Sequence, residues 1–192
     1  LARFEETLTM LRAKGYEVCD INLPAITHSL AVYYILMPAE VSTNLARFDS
    51  VRFGLHVDGK DLLDDYMKTR GTGFGKEAKR RIILGTYVLS AGYYDAYYRK
   101  ACAMRSVIRR DFETAFTSVD AIAIPTTPSP AFALGEKTAD PLQMYLEDIF
   151  TVPANIAELP AISIPSGTTN GGLPVGFQLI APYFGESTLF SI

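Results

Sequence analysis

Two short apolar runs, AISIP (161–165) and VGFQLIA (175–181), enclose a loop that carries Asn-Gly-Gly at 170–172. That arrangement is a hairpin signal, because Asn and Gly accept the backbone angles a tight return needs. A third run, DAIAIP (120–125), reads as a short buried strand stopped by Pro125. The TTPSPA segment behind it (126–131) is too proline-rich for a helix or a central strand. Most of the preceding chain follows helical spacing instead. Short strands combined with long helices exclude a pure bundle and predict an α/β fold of mixed α+β layers.

The helical tracts are easily bounded. Phe4, Leu8 and Leu11 predict a helix over 2–14, stopped by Gly15. Residues 16–24 alternate imperfectly and predict a short strand ended by Pro24. Residues 25–48 are mostly apolar with helical periodicity, and Pro38 predicts a kink there. A turn and a short extended segment are expected over 48–54, and a charged helix over 58–70. The glycine-rich 70–75 segment predicts a loop that leads into a helix over 76–91. After Gly92 a second helix is expected over 93–117, with Tyr94, Tyr97, Tyr98, Ile108 and Phe112 at core spacing. Asp140 and Pro141 predict the cap and first turn of a helix over 140–149. The sequence begins and ends inside helical patterns, which predicts a piece of a longer protein.

Composition narrows the class. The chain has 192 residues, 48% hydrophobic and 20% charged, with a formal net charge of −3. A chain of this size and aromatic content buries enough surface to fold, and disorder is excluded as its main state. No apolar run is long enough to span a bilayer. Two cysteines, Cys19 and Cys102, exclude a disulfide scaffold, and the reducing cytoplasm is the expected setting. The charge is segregated: 68–110 holds eleven basic and two acidic residues, the remainder seven basic and nineteen acidic. Solvated helix faces account for most of that excess, and an anionic partner is the competing reading.

Residue chemistry supplies no nucleophilic centre. His28 and His56 are the only histidines, and neither neighbours a GxSxG elbow. They are too distant from one another and from the cysteines to suggest a metal site. The GxGxG run at 71–75 lacks the Lys-Ser/Thr of a phosphate loop. Asp64 and Asp65 are adjacent on a helix, where solvation is the simplest reading. Two features remain: the arginines Arg80 and Arg81 in KRRI (79–82), and the acidic pair Glu147–Asp148. A guanidinium suits a carboxylate and a carboxylate suits an ammonium. Together they would read both ends of an amino-acid zwitterion, and solvated surface is the competing reading for both.

Five segments carry a further identification: STNLARFDSVRFG (42–54), GFGKEAKRRIILGTYVLSAGYYDAYY (73–98), DAIAIPTTPSPAFALGE (120–136), PANIAELPAISIP (153–165) and GLPVGFQLIAP (172–182). Together they resemble the C-terminal part of the amidase signature family, within it the glutamine-hydrolysing branch that serves tRNA-dependent amidation. The resemblance implies that 1–192 is the C-terminal part of one amidase signature domain, a mixed β-sheet flanked by helices. It implies hydrolysis of glutamine, with the ammonia delivered to a partner protein that uses ATP and Mg to amidate Glu-tRNA(Gln) or Asp-tRNA(Asn). The B and C subunits of a heterotrimeric amidotransferase are the implied partners, with tRNA met through the complex.

The family's Ser–cis-Ser–Lys triad lies in a glycine- and serine-rich signature that these residues lack, so no catalytic residue is assigned. By motif position, Arg81 resembles the arginine that holds the glutamine α-carboxylate, with Arg80 as competitor. Asp148 resembles the aspartate that holds the α-amino group. Tyr33 or Tyr34 lines the substrate cavity or packs in the core. Glu158 stands where the family commonly has glycine. No cofactor or metal is expected on this chain, and an isolated piece is expected to be inactive and prone to self-association. A stand-alone hydrolase of another amide and a non-catalytic partner- or tRNA-binding domain are the alternative readings.

Overall fold

The computed structural model describes residues 1–137 and 140–192. The helices are α1 (Ala2–Ala13), α2 (Ser29–Asn44), α3 (Leu62–Gly73), α4 (Lys76–Val88), α5 (Arg99–Ala115), α6 (Pro141–Leu146), α7 (Val152–Ala157) and α8 (Glu186–Ser191). The strands are β1 (Ile122–Pro125), β2 (Ala161–Thr168) and β3 (Pro174–Ile180). The described residues form two compact units, one of Leu1–Leu30 with Met104–Ile192, the other of Ala31–Ala103.

The first unit is built on a three-stranded sheet in the order β1-β3-β2, antiparallel throughout. The expected β2–β3 hairpin is present, closed by Thr169 N–H donating to the Leu173 carbonyl at 2.8 Å. Alternation along β3 places Phe177 and Leu179 on one face, where with Ala181 and Leu189 they form an apolar cluster. Phe4, Leu8 and Leu11 of α1 pack against it, and the Phe4 and Phe177 rings stack at 5.2 Å. Each large side chain so buried stabilises the unit by about 1.5–3 kcal/mol. Arg3 fastens α1 to the hairpin by donating from Nε to the Thr168 carbonyl at 2.9 Å. Ile108 and Phe112 of α5 are fully buried, and Asp111 accepts the Ala25 N–H at 2.7 Å.

In the second unit α4 approaches α2 very closely. A Cβ at Gly85 would collide with the Pro38 carbonyl, so only glycine fits. Pro38 stays within α2 and does not end it. The 70–75 segment departs from expectation, because α3 continues through Gly73. Tertiary bonds override the glycines there: Arg70 donates to the Leu45 and Phe48 carbonyls at 2.9 Å, and the buried Thr69 hydroxyl accepts the Val57 N–H. Asp64 and Asp65 are half-buried instead of solvated, and they accept the Lys60 and Gly59 amides. Lys68, paired with Asp64 at 2.8 Å, and the Lys60 amide hold the Asp64 carboxyl below its ordinary pKa.

Two further expectations change. Residues 16–23 form no strand, because among the described residues no neighbouring strand offers them a ladder. Two of the three tyrosines expected at core spacing lie at the surface: Tyr94 and Tyr97 are 42% and 44% exposed, beside the exposed Tyr87 and Tyr93, whereas Tyr98 is half-buried. Tyr94–Tyr98 form a single wide π turn ahead of α5. The rings cover one another instead, with Tyr87–Tyr93 centroids 4.2 Å apart and Tyr94–Tyr98 5.1 Å apart. A hydrogen bond with Tyr93 pushes the Tyr87 phenol up to about 12. Burial and its bond to Glu40, at 3.1 Å, push Tyr98 up to about 12.

Candidate functional site

Arg81 lies in the second unit, on the first turns of α4. Its side chain is only 27% exposed. Glu77, one turn earlier, accepts from Arg81 Nε through Oε1 at 2.8 Å and from Arg80 through Oε2 at 2.6 Å. Arg80 is the more exposed of the two. Arg81 Nη1 donates to Met37 Sδ at 3.3 Å. Burial opposes the Arg81 charge, but Glu77 and the neighbouring Tyr33 outweigh it and hold the guanidinium above its ordinary pKa. Glu77 therefore fixes the Nε edge. The acceptor at Nη1 is a thioether, a weak one that a carboxylate oxygen would displace. Sequence reasoning misses Glu77, although its spacing of three and four residues from the arginines is the signal that marks it.

Asp148 lies in the first unit, in the turn between α6 and α7. Its side chain is exposed, and it makes no ion pair among the described residues. Its backbone is held at both ends. The amide donates to Tyr145 at 3.2 Å, and the carbonyl accepts from Thr151 N and Oγ1, each at 3.1 Å, and from Val152 N at 3.0 Å. Arg81 and Asp148 thus belong to different units.

Glu147, the other half of the acidic pair, is already engaged. It pairs with Lys137 and accepts the Ser129 hydroxyl at 2.7 Å. Lys137 and then Ser129 hold the Glu147 carboxyl below its ordinary pKa. Ser129 lines an open cavity of about 560 Å³ in the first unit, together with Arg3, Glu6, Thr127, Asn170 and Gly176. At the floor of the sheet Thr126 and Ser163 share a hydrogen bond at 2.7 Å across Gly176, where a Cβ would lie 2.5 Å from Thr126 Oγ1.

Glu158 caps the end of α7 with φ 61°, in the left-handed region that favours glycine. Its carboxylate meets Arg109 at 3.0 Å and Arg105 at 3.6 Å, which offsets the backbone cost. Local pairing also absorbs much of the basic excess, as in Arg99–Asp95 at 3.1 Å and Arg109–Glu113 at 3.1 Å. His28 and His56 are exposed, and among the described residues no three His, Cys, Asp or Glu side chains gather as a metal site would require. Among the same residues no helix is long and apolar enough to cross a membrane.

The Amidase family profile matches residues 1–190, and the chain belongs to that family. The A subunit of glutamyl-tRNA(Gln) amidotransferase from Parvibaculum lavamentivorans is 58% identical over 179 residues, which cover 93% of this chain and 36% of that protein. The protein of the same name from Granulibacter bethesdensis is 59% identical over 184 residues, 95% of this chain and 37% of its own length. The crystal structure of the corresponding protein from Thermotoga maritima, again the A subunit of glutamyl-tRNA(Gln) amidotransferase, matches with a TM-score of 0.73 at 41% identity. That match covers all of this chain and 36% of the other. The chain therefore spans little more than a third of the relatives it matches.

Proposed function

We propose that these residues are the substrate-recognition part of the glutamine-hydrolysing subunit of a tRNA-dependent amidotransferase. The supporting observation is the identity of 54–59% to eight curated amidotransferase A subunits over nearly all of this chain. Arg81 takes the α-carboxylate of glutamine and Asp148 its α-ammonium. Glu77 presets the guanidinium, so little side-chain freedom is lost on binding. The Ser–cis-Ser–Lys triad comes from a portion of the protein outside these residues. Ammonia passes to the B subunit, where ATP and Mg serve the amidation of Glu-tRNA(Gln) or Asp-tRNA(Asn), and the C subunit completes the complex in the cytoplasm.

The test is Arg81→Ala in the full-length protein within its complex. Losing a charge-assisted contact of about 2–4 kcal/mol should raise KM for glutamine roughly 30- to 1000-fold. An unchanged KM rejects Arg81 as the carboxylate clamp. Residues 1–192 alone should release no ammonia from glutamine, and measurable release would refute the assignment of the triad elsewhere.

A further inference from the structure

Gln178 is the only residue of β3 with a polar side chain. It is 4% exposed and sits at the centre of the sheet, in register with Ile124 on β1 and Ser163 on β2. Its neighbours Phe177 and Leu179 face the apolar cluster beneath α1. Strand alternation therefore turns Gln178 to the opposite face. There its Nε2 donates to the main-chain carbonyl of Phe150 at 2.9 Å.

A buried amide is costly unless it is paired, and an apolar side chain of the same size would pack without that cost. What the amide holds explains its presence. Phe150 closes the turn whose hydrogen bonds converge on the Asp148 carbonyl from Thr151 and Val152. That turn is otherwise exposed at Asp148 and Ile149. The Gln178 bond ties it to the most deeply buried strand of the sheet, and Asp148 is two residues away.

We infer that Gln178 is a positioning residue for Asp148: through Phe150 it fixes the place at which the acidic turn meets the ammonium of a substrate. The inference rests on the role proposed for Asp148. In the full-length protein within its complex, Gln178→Met should raise KM for glutamine about three- to tenfold and leave kcat within about twofold. The same variant should leave KM unchanged for the analogue that lacks the α-amino group, a selectivity that general loosening would not produce. Equal rises for both substrates, or no rise for either, would overturn it.

Where Gln178→Met does not fold, Gln178→Glu takes its place. Its protonated carboxyl can again donate to the Phe150 carbonyl. Its KM for glutamine, relative to the parent protein, should therefore recover as pH falls from about 8 to about 6. A pH-independent ratio would contradict the inference. Asp148→Asn run in parallel separates the failures. A raised KM in Asp148→Asn without one in Gln178→Met sinks the positioning role alone. An unchanged KM in Asp148→Asn sinks the reading beneath it.

Discussion

Arg81 stands on a 13-residue helix and is steered through its side chain, by Glu77 on one edge and Met37 on the other. Asp148 stands in a short turn and is steered through its backbone, while its carboxylate carries no ion pair among the described residues. The contrast follows from side-chain length. A guanidinium on a long flexible stem needs a partner to hold it, whereas a carboxylate one carbon from the backbone goes wherever the turn goes. Errors should therefore enter the two places by different routes: helix packing and ion pairing at Arg81, main-chain placement at Asp148.

The largest expected effect is on the arginine side. Gly85 lies one turn beyond Arg81, against the Pro38 carbonyl. Gly85→Ala in the full-length protein should force α4 off α2 and cost about 3 kcal/mol or more, read as a lower denaturation midpoint. A midpoint equal to the parent's would show that the close approach of the two helices is not needed.

Next comes the acidic side, probed by pH. The Glu147 carboxyl is held below its ordinary pKa by Lys137 and Ser129. A depressed acid contributes stability that is present above its unfolded pKa, near 4.5, and is lost as pH falls through the lower folded value. Glu147→Gln should therefore be less stable than the parent at neutral pH and converge with it in acid. Parallel denaturation curves at all pH values would reject the coupling of this ion pair to the turn.

The smallest effect is at Glu158. Glu158→Ala should cost roughly 0.2–1 kcal/mol through the lost Arg105 and Arg109 pairs. Glu158→Gly loses the same pairs but relieves a strain of about 1 kcal/mol, so it should be near neutral. In high salt, which screens the pairs, Glu158→Gly should become the more stable protein. No change of rank between low and high salt would mean that the arginines do not compensate the backbone.

The hairpin, the β1 strand and the Asp140 cap were legible because each is local: turn residues, a stopping proline and an N-cap act within a few positions. Asp140 indeed accepts the Leu142 N–H at 2.9 Å. The extension of α3 through Gly71 and Gly73 was not legible, because Arg70 and Thr69 stabilise it through partners 12 to 25 residues away. The exposed tyrosines misled for a related reason. Helical spacing marks a shared face but not what covers it, and here the rings cover one another. At the site, Arg81 and Asp148 stood out by charge in motifs, and Glu158 by its departure from glycine. Glu77 was detectable from spacing alone. Gln178 carried only a faint signal, one amide in an apolar strand, because its partner is a backbone carbonyl that no side-chain pattern reveals.

The central claim is that one charge reads each end of glutamine, and substrate analogues test it most directly. Initial rates of the full-length protein in its complex would be compared for glutamine, its analogue without the α-amino group and its analogue without the α-carboxylate. Asp148→Asn should erase the preference over the first analogue and keep the preference over the second, and Arg81→Ala should do the reverse. Retention of both preferences in both variants would contradict the account.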